Sequence, residues 1–216
     1  MSARPLLLGH RGARSVRSVS ENTLASFDAA LAHGCDGVEL DVRTTGCGRL
    51  VVCHNPKVGK IVVGRATAGQ LLQLTRLEEV LERYSHQTFL DIELKVPGIE
   101  SRVLGLLRDY ARRNNLVVSS FLPAVVMEIK ARSALVPTGI ICERPSQLVR
   151  WRKLPADYVI VRHPLLTRKL VESAQASKRK ILAWTVNDAG VMRRLAGWGV
   201  DGIISDRTEL LAQTFC

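Results

Sequence analysis

The 216-residue sequence lacks the apolar segments that would place a protein in a membrane or direct its secretion. No apolar run approaches the roughly 20 residues that a membrane-spanning helix needs. Near the N-terminus only Leu6, Leu7 and Leu8 precede Gly9, whereas a signal peptide has an apolar region of about 7–15 residues. These absences predict a cytoplasmic protein.

The cysteines are not arranged as a metal site or a redox pair. The five cysteines, an odd number, form no Cys-x-x-Cys pair and lie at Cys35, Cys47, Cys53, Cys142 and Cys216. In a chain without a secretory signal, this pattern predicts reduced thiols rather than a disulfide framework or a zinc site.

Aromatic residues are also few, and basic residues outnumber acidic ones. Aromatics make up 5% of the chain, which gives poor support for a platform that stacks single-stranded nucleic acid. The net charge is +11, and ten basic residues face only two acidic ones between Arg144 and Lys180. This segment is either a solvated basic face or a field that attracts anions. We expect no nucleic-acid partner, and peripheral contact with an anionic membrane is compatible with the charge.

Short β-rich runs alternate with amphipathic helical patterns from one end of the chain to the other. The predicted strands are Leu6–Gly9, Gly37–Val42, Phe89–Leu94, Leu116–Ser120, Thr138–Ile141, Tyr158–Val161, Ile181–Thr185 and Gly202–Ile204. The predicted helices are Glu21–Ala32, Leu77–Tyr84, Glu100–Arg113, Ala124–Arg132, Ser146–Trp151, Leu166–Ser177, Ala189–Trp198 and Glu209–Thr214. Such alternation indicates parallel strands with crossover helices, and eight units in about 200 residues is the lower size limit of a closed (β/α)8 TIM barrel.

An open doubly wound sheet is the main alternative fold. Its usual mark, a Gly-x-Gly-x-x-Gly turn after the first strand, is absent, since the turn reads Gly9-His10-Arg11-Gly12-Ala13. Between residues 50 and 75 the alternation is interrupted, and Leu50–Cys53 and Lys60–Val63 predict a small β-ribbon inserted after the second strand. No linker or internal repeat divides the chain, so residues 1–216 are expected to form a single domain.

Five short motifs rich in acidic and basic residues lie at the ends of apolar, strand-like runs. In chain order they are His10-Arg11-Gly12, Glu21-Asn22-Thr23, Glu39-Leu40-Asp41, His54-Asn55-Pro56 and Glu93-Leu94-Lys95. A divalent cation prefers hard oxygen ligands, a phosphate prefers cationic partners, and proton transfer near neutral pH suits imidazoles. The motifs therefore contain the groups that metal-assisted cleavage of a phosphodiester requires.

The carboxylates of Glu39 and Asp41 are predicted to hold a metal ion. They are two residues apart on a strand, so both side chains point to the same side of the sheet. Two carboxylates so close repel each other unless a cation lies between them, and Mg²⁺ or Ca²⁺ with Glu93 as a third ligand would satisfy them. The alternative is a structural salt bridge from one of them to Arg11 or Lys95.

The remaining charged groups suit a phosphate and its proton transfers. Arg11 can donate a forked pair of hydrogen bonds to phosphate oxygens, and Lys95 is placed to hold a non-bridging oxygen. His10 and His54 suit an acid and a base on opposite sides of a phosphorus atom. The other histidines, His33, His86 and His163, are expected to be structural. Glu21 and Thr23 are explained by an ordinary helix cap, whereas Asn22 either caps the helix or reaches the site as a substrate-binding residue.

These motifs together resemble the glycerophosphodiester phosphodiesterase family. The matching segments run from about Leu7 to Asp206 and include, besides the five motifs, Trp184-Thr185-Val186-Asn187 and Asp201-Gly202-Ile203-Ile204-Ser205-Asp206. The resemblance implies a (β/α)8 barrel and one divalent cation, Ca²⁺ or Mg²⁺. The site residues that it implies are Glu39, Asp41 and Glu93 for the metal, His10 and His54 for acid/base catalysis, Arg11 and Lys95 for the phosphate, and Trp184 for the pocket lining.

Three departures from the family pattern affect the rim of the site. The stretch from His10 to Glu21 is longer than usual, and His54 is followed by Asn55 where Asp is common. The insertion before Leu77 is also short. None of these changes removes a catalytic group, but they alter the surface that would meet the leaving alcohol.

The expected function is metal-dependent hydrolysis of a small-molecule glycerophosphodiester to sn-glycerol 3-phosphate and an alcohol. A lysophospholipase D is the nearest alternative, because the same site could accept an acylated glycerol. A barrel that has lost catalysis and binds anions is a further alternative, and the complete set of acidic residues and histidines argues against it. The sequence does not predict the head group, the physiological metal or the oligomeric state.

Overall fold

Eight parallel strands close into a barrel that is surrounded by helices. The computed structural model describes residues 4–67, 69–108 and 115–215. The strands are β1 Leu6–His10, β2 Gly37–Thr44, β3 Leu50–Val52, β4 Lys57–Val58, β5 Ile61–Val62, β6 Phe89–Leu94, β7 Leu116–Ser120, β8 Thr138–Cys142, β9 Tyr158–Arg162, β10 Lys180–Trp184 and β11 Gly202–Ser205. The helices are α1 Leu24–Ala32, α2 Leu77–Tyr84, α3 Glu100–Leu107, α4 Pro123–Arg132, α5 Pro145–Leu148, α6 Arg168–Ala176, α7 Ala189–Gly197 and α8 Thr208–Phe215.

The barrel closes because β1 pairs on both of its edges. Leu8 lies opposite Gly37 of β2 and Ile204 of β11, and the order around the ring is β1, β2, β6, β7, β8, β9, β10, β11. This arrangement confirms the predicted (β/α)8 barrel. Since all eight strands run parallel, their carboxyl ends meet at one end of the barrel, here called the mouth.

The barrel strands are largely apolar on both faces, as expected of parallel strands buried between a core and a shell of helices, and the exceptions include the acidic residues of β2 and β6. On the outer face, Val38, Leu40 and Ile92 are fully buried together with Phe27 of α1. On the inner face, the barrel is filled by Leu8, Phe89, Val117, Ile141, Tyr158, Ile160, Leu182 and Ile204. The interior is therefore a packed core, and only its upper end at the mouth is open to ligands.

The first helix begins three residues later than predicted. It starts at Leu24, because Thr23 is its N-cap and accepts a hydrogen bond from the Ser26 N–H. Asn22 is held at a φ of +60°, outside the helical region. The third helix is predicted to run to Arg113, and its assigned span ends at Leu107. Residues 109–113 lie outside the described residues, as does Cys216.

The insertion between residues 50 and 75 contains the predicted β-ribbon, but the paired strands differ. The ribbon is β4 with β5, whereas Leu50–Val52 pairs antiparallel with β2, where Val52 lies opposite Val42. The expected pairing of Leu50–Cys53 with Lys60–Val63 is thus wrong. Each residue of β3 is at most 7% exposed, and a free ribbon would leave one face of this apolar strand in water.

Part of the basic segment from Arg144 to Lys180 has a structural role. The guanidinium groups of Arg152 and Arg179 lie 4.8 Å and 5.0 Å from the ring centre of Trp151, and Arg179 also donates hydrogen bonds to the backbone carbonyls of Trp151 and Leu154. Trp151 is only 1% exposed, so it offers no surface for stacking a nucleic-acid base. Among the helices of the described ranges, none is long and apolar enough to cross a membrane.

Candidate active site

The barrel mouth contains a cavity of about 260 Å³. One half of its wall comes from β1, β2, β6 and the segment after β3, and the other half comes from β7 to β11. The lining residues are His10, Arg11, Glu39, His54, Asp91, Glu93, Lys95, Phe121, Ile141, Glu143, Ile160, Trp184 and Ile204. All the predicted site residues except Asn22 and Asp41 line this cavity.

Three carboxylates converge at one side of the cavity. Ligand oxygens of Glu39, Asp41 and Glu93 lie within 4.8 Å of one another, and each residue is at most 6% exposed. Glu39 and Asp41 share one face of β2, and Asp41 lies opposite Glu93 of β6. Asp41 Oδ1 is buried, and its contact is an ion pair with Lys95 rather than a well-aligned hydrogen bond. Hard oxygen ligands at this spacing fit a divalent cation.

Two cationic side chains lie against the same carboxylates. Lys95 Nζ is 2.6 Å from Glu93 Oε1 and 3.2 Å from Asp41 Oδ1, and Arg11 Nε is 3.1 Å from Asp41 Oδ2. Arg11 has a φ of +54°, and in this conformation its backbone N–H donates to Glu39 Oε2 at 3.1 Å. The salt bridges that the sequence analysis gave as the alternative are therefore present. The three carboxylates nevertheless remain close to one another.

Burial and mutual repulsion separate the pKa values of the acidic groups. Burial, reinforced by the charge of Asp41, raises the pKa of Glu39 well above its usual range. Burial also raises the pKa of Glu93 to about 7 and that of Asp91 to about 7. Asp41 is the exception, because Lys95 and Arg11 outweigh its burial and lower its pKa. A site with several raised carboxyl pKa values gains stability when a cation binds near neutral pH.

These raised pKa values predict that the metal-free protein loses stability as the pH rises through the neutral range. Groups with a folded pKa above the unfolded value bind more protons when folded, so their contribution is present at acidic pH and is lost as pH rises through about 7. We expect the free energy of unfolding, from urea titrations with chelator, to fall by at least ~1 kcal/mol between about pH 5 and about pH 7.5. An Asp91→Asn variant keeps the hydrogen bond from Ser119 and should show a shallower fall. Equal slopes for both proteins would contradict this assignment.

His10 is fixed by a residue from the opposite end of the chain. Its Nδ1–H donates to Asp206 Oδ1 at 2.7 Å, and its Nε2 lies 3.8 Å from Glu39 Oε2. Burial alone would raise the Asp206 pKa, but hydrogen bonds from His10 and Asn187 outweigh it and the net pKa is lowered. The anionic Asp206 thus holds the imidazole with Nε2 facing the cavity.

Asp206 was not among the predicted site residues, although it ends one of the segments that carry the resemblance to the family. The rule that strand ends meet at the mouth could have selected it, since Asp206 directly follows β11. Arg14 adds a second unpredicted link, because it donates to Asp206 at 3.2 Å and to Glu21 at 2.7 Å. The loop between β1 and α1 is therefore tied by Arg14 to the residue that follows β11, and is braced internally by the contact with Glu21.

His54 lines the cavity from the segment that follows β3. It is half-buried, and its Nδ1 is 2.9 Å from Asn55 Oδ1. Burial lowers the pKa of His54, so its neutral form is favoured near neutral pH. Asn55, the position where Asp is common in the family, is thus the direct partner of one of the two cavity histidines. His33, His86 and His163 lie outside the cavity, and His33 contacts Thr208 of α8.

Asn22 and Trp184, the last two predicted site residues, differ in position. Asn22 lies behind the cavity, where its Nδ2 donates to Asp41 Oδ2 at 2.8 Å and its Oδ1 accepts from the Asp41 N–H at 3.2 Å. It also lines a second cavity of about 510 Å³, which reaches His54 from the side of the insertion. Trp184 lines the main cavity and meets Phe121 edge to face, with ring centres 5.5 Å apart.

Comparison with known proteins identifies the family of this chain. The model of the glycerophosphoryl diester phosphodiesterase family matches residues 10–89 and 78–210. A glycerophosphodiester phosphodiesterase from Caldanaerobacter subterraneus is 30% identical over 95% of this chain and 96% of its own length.

Solved structures share the fold of this chain. A glycerophosphodiester phosphodiesterase from Thermotoga maritima is 27% identical, covers 99% of both chains and has a TM-score of 0.85. A phosphodiesterase from Oleispira antarctica, solved in complex with the product sn-glycerol-3-phosphate, is 23% identical and shares the fold, with a TM-score of 0.85 over 98% of this chain and 96% of that one. On these matches, which span nearly the whole sequence, the chain belongs to the glycerophosphoryl diester phosphodiesterase family.

Proposed function

We propose that the protein hydrolyses glycerophosphodiesters to sn-glycerol 3-phosphate and an alcohol, with His10 and His54 as the acid/base pair. The observation that carries this proposal is that both histidines, Glu39 and Glu93 line one cavity of a family member, with an Asp41 oxygen within 4.8 Å of those of the two glutamates. A barrel that only bound anions through its surface charge would need neither two histidines in a cavity nor carboxylates so close to one another.

Glu39, Asp41 and Glu93 are proposed to hold one divalent cation, Mg²⁺ or Ca²⁺. When bound, such an ion acts as a Lewis acid toward a phosphate oxygen and lowers the pKa of a coordinated hydroxyl. Asn22 supports this group, since its side chain holds Asp41 through two hydrogen bonds. We therefore assign Asn22 a positioning role in addition to the substrate contact predicted from the sequence.

The two histidines are proposed to move the protons. One takes the proton of the glycerol 2-hydroxyl as this oxygen attacks phosphorus, while the other donates a proton to the leaving alkoxide. Water then opens the resulting cyclic phosphate with the roles exchanged. His10 acts through Nε2, because its Nδ1–H is engaged by Asp206.

Arg11, Lys95 and Trp184 are proposed to bind the substrate. Lys95 is 12% exposed and Arg11 is 11% exposed at the side chain, so both reach the cavity while they remain paired with carboxylates. Their charges would stabilise the negative charge that builds on the equatorial phosphate oxygens. Trp184 forms part of the opposite wall.

A substrate panel tests the proposed reaction. Purified protein with Mg²⁺ or Ca²⁺ should release sn-glycerol 3-phosphate from glycerophosphocholine, glycerophosphoethanolamine or glycerophosphoinositol, as measured by a coupled glycerol-3-phosphate assay. Selective release of lysophosphatidate from a lysophospholipid would instead favour the lysophospholipase D alternative. No product from any member of the panel would support the inactive, anion-binding barrel. Peripheral contact with anionic membranes through the basic segment stays a prediction.

A further inference from the structure

Arg14 does not line the cavity, yet its side chain joins two carboxylates that hold residues of the site. Its Nη1 donates to Asp206 Oδ1 at 3.2 Å, and its Nε donates to Glu21 Oε2 at 2.7 Å. Arg14 is not among the described residues that form the cavity wall. Any effect of Arg14 on the reaction must therefore pass through these two carboxylates.

The first of the two carboxylates orients a histidine of the proposed acid/base pair. Asp206 Oδ1 accepts from His10 Nδ1 at 2.7 Å as well as from Arg14, and Asp206 Oδ2 accepts from Asn187 Nδ2 at 2.8 Å. Arg14 thus holds the same oxygen that orients His10. Without Arg14, the His10 ring would be the only described side chain that donates to this oxygen.

The second carboxylate holds the arginine that is proposed to bind the phosphate. Glu21 divides its oxygens between two arginines, because Oε1 accepts from Arg11 Nη1 at 2.9 Å while Oε2 accepts from Arg14. Arg11 Nε lies 3.1 Å from Asp41 Oδ2, so Glu21 and Asp41 together set the orientation of its guanidinium. The Glu21 side chain is 34% exposed, and the bond from Arg14 restricts its rotation into water.

The backbone on both sides of Arg14 fixes the point from which this side chain extends. The Ala13 N–H donates to the Ser26 carbonyl at 2.8 Å, and the Ser15 N–H donates to the Asp206 carbonyl at 3.1 Å. An exposed ion pair between two mobile side chains contributes little, and the Arg14 side chain is 42% exposed. Because its backbone is held at both neighbours, Arg14 loses less conformational entropy when it forms the two contacts.

We propose that Arg14 is a positioning residue for two residues of the site. Through Asp206 it orients His10. Through Glu21 it orients Arg11, the proposed phosphate ligand. The inference rests on the proposed phosphodiesterase activity and adds to it a residue that acts from outside the cavity. A guanidinium suits this role because its planar fork donates from separate nitrogens in fixed directions, whereas the ammonium of a lysine is a single point charge.

Steady-state kinetics on the best substrate of the panel tests this role in the unaltered protein, Arg14→Ala, Arg14→Lys and Arg17→Ala. For Arg14→Ala we expect kcat to fall and KM to rise, each by about 3- to 10-fold, since proton transfer and phosphate binding both lose their alignment. Arg14→Lys should recover only part of this loss. Arg17 is exposed in the same loop and has no side-chain partner among the described residues, so Arg17→Ala should leave both constants within about twofold.

Double-mutant cycles separate positioning from a general loss of structure. In an Asp206→Asn background, Arg14→Ala should lower kcat less than it does in the unaltered protein. In a Glu21→Gln background, it should likewise raise KM less. Circular dichroism and thermal unfolding establish that each variant is folded, and Arg14→Lys takes the place of Arg14→Ala in the cycles if the alanine variant does not fold.

The possible failures are distinguishable. If kcat and KM of Arg14→Ala match those of Arg17→Ala, the positioning role is overturned while the phosphodiesterase activity stands. Equal losses in the single variant and in both backgrounds would also overturn it, because Arg14 would then act independently of the two carboxylates. If the unaltered protein hydrolyses no member of the panel with either metal, the proposed function is overturned and the role of Arg14 falls with it.

Discussion

Replacing His10 or His54 by alanine is expected to lower the kcat for glycerophosphodiester hydrolysis by about 10²–10⁴-fold. Both imidazoles line the cavity beside the carboxylate cluster, and no other histidine among residues 4–67, 69–108 and 115–215 does so. A group that transfers a proton in the transition state acts on kcat and on kcat/KM together. The measurement is a steady-state assay of each variant, with circular dichroism and thermal unfolding to establish that the fold is retained.

His33→Ala is the matched control for the two catalytic variants. His33 follows α1 and contacts Thr208, outside the cavity, so its removal should change kcat by less than about twofold. If His33→Ala proves as costly as His54→Ala, the assignment of the acid/base pair is wrong. Asp206→Asn should give an intermediate loss, because the amide keeps the contact with His10 but not the charge that orients it.

Removal of the divalent cation is the second change with a large expected effect. Excess chelator should abolish turnover, and Mg²⁺ or Ca²⁺ should restore it. Glu39→Gln, Asp41→Asn and Glu93→Gln should each weaken metal binding, because each replaces a negatively charged carboxylate of the cluster by a neutral amide. Isothermal calorimetry of metal binding measures this directly, independently of activity. Full activity of metal-free protein in chelator would refute the metal assignment.

Lys95→Ala separates a phosphate role from a structural role around the metal ligands. Lys95 pairs with Glu93 and Asp41, so its loss removes a positive charge that competes with a divalent cation. We expect metal affinity to be unchanged or higher, while turnover falls because the phosphate loses a cationic partner. Lower metal affinity would instead indicate that Lys95 holds the carboxylates in place.

The sequence predicted the position of the site well because barrel topology is a strong constraint. Once Glu39, Asp41 and Glu93 are placed at the ends of parallel strands, closure of the ring brings them together without any knowledge of side-chain packing. The same rule placed His10 at the mouth, whereas Trp184 came from the resemblance to the family. The strand bounds were also predicted closely, since a buried parallel strand is a continuous apolar run bounded by polar residues.

The partners of these residues could not be predicted in the same way. The hydrogen bond from His10 to Asp206 joins residues 196 positions apart, and no local pattern encodes such a pair. The link from Asn22 to Asp41 depends on the left-handed conformation of Asn22, which helix-capping rules do not anticipate. β3 was paired with the wrong strand because a short apolar run fits several neighbours equally well, and only three-dimensional packing selects β2.

The pairing of β1 with β11 has a consequence for how the enzyme is made. During synthesis the first strand leaves the ribosome early, but its partner at Gly202–Ser205 and the aspartate that orients His10 arrive almost 200 residues later. Until then β1 has an unpaired edge, and such edges are prone to aggregate. Full activity should therefore appear only after translation of the last strand. We also expect refolding to be slow and to depend on chaperones, because closure of the ring requires contacts between residues far apart in the sequence.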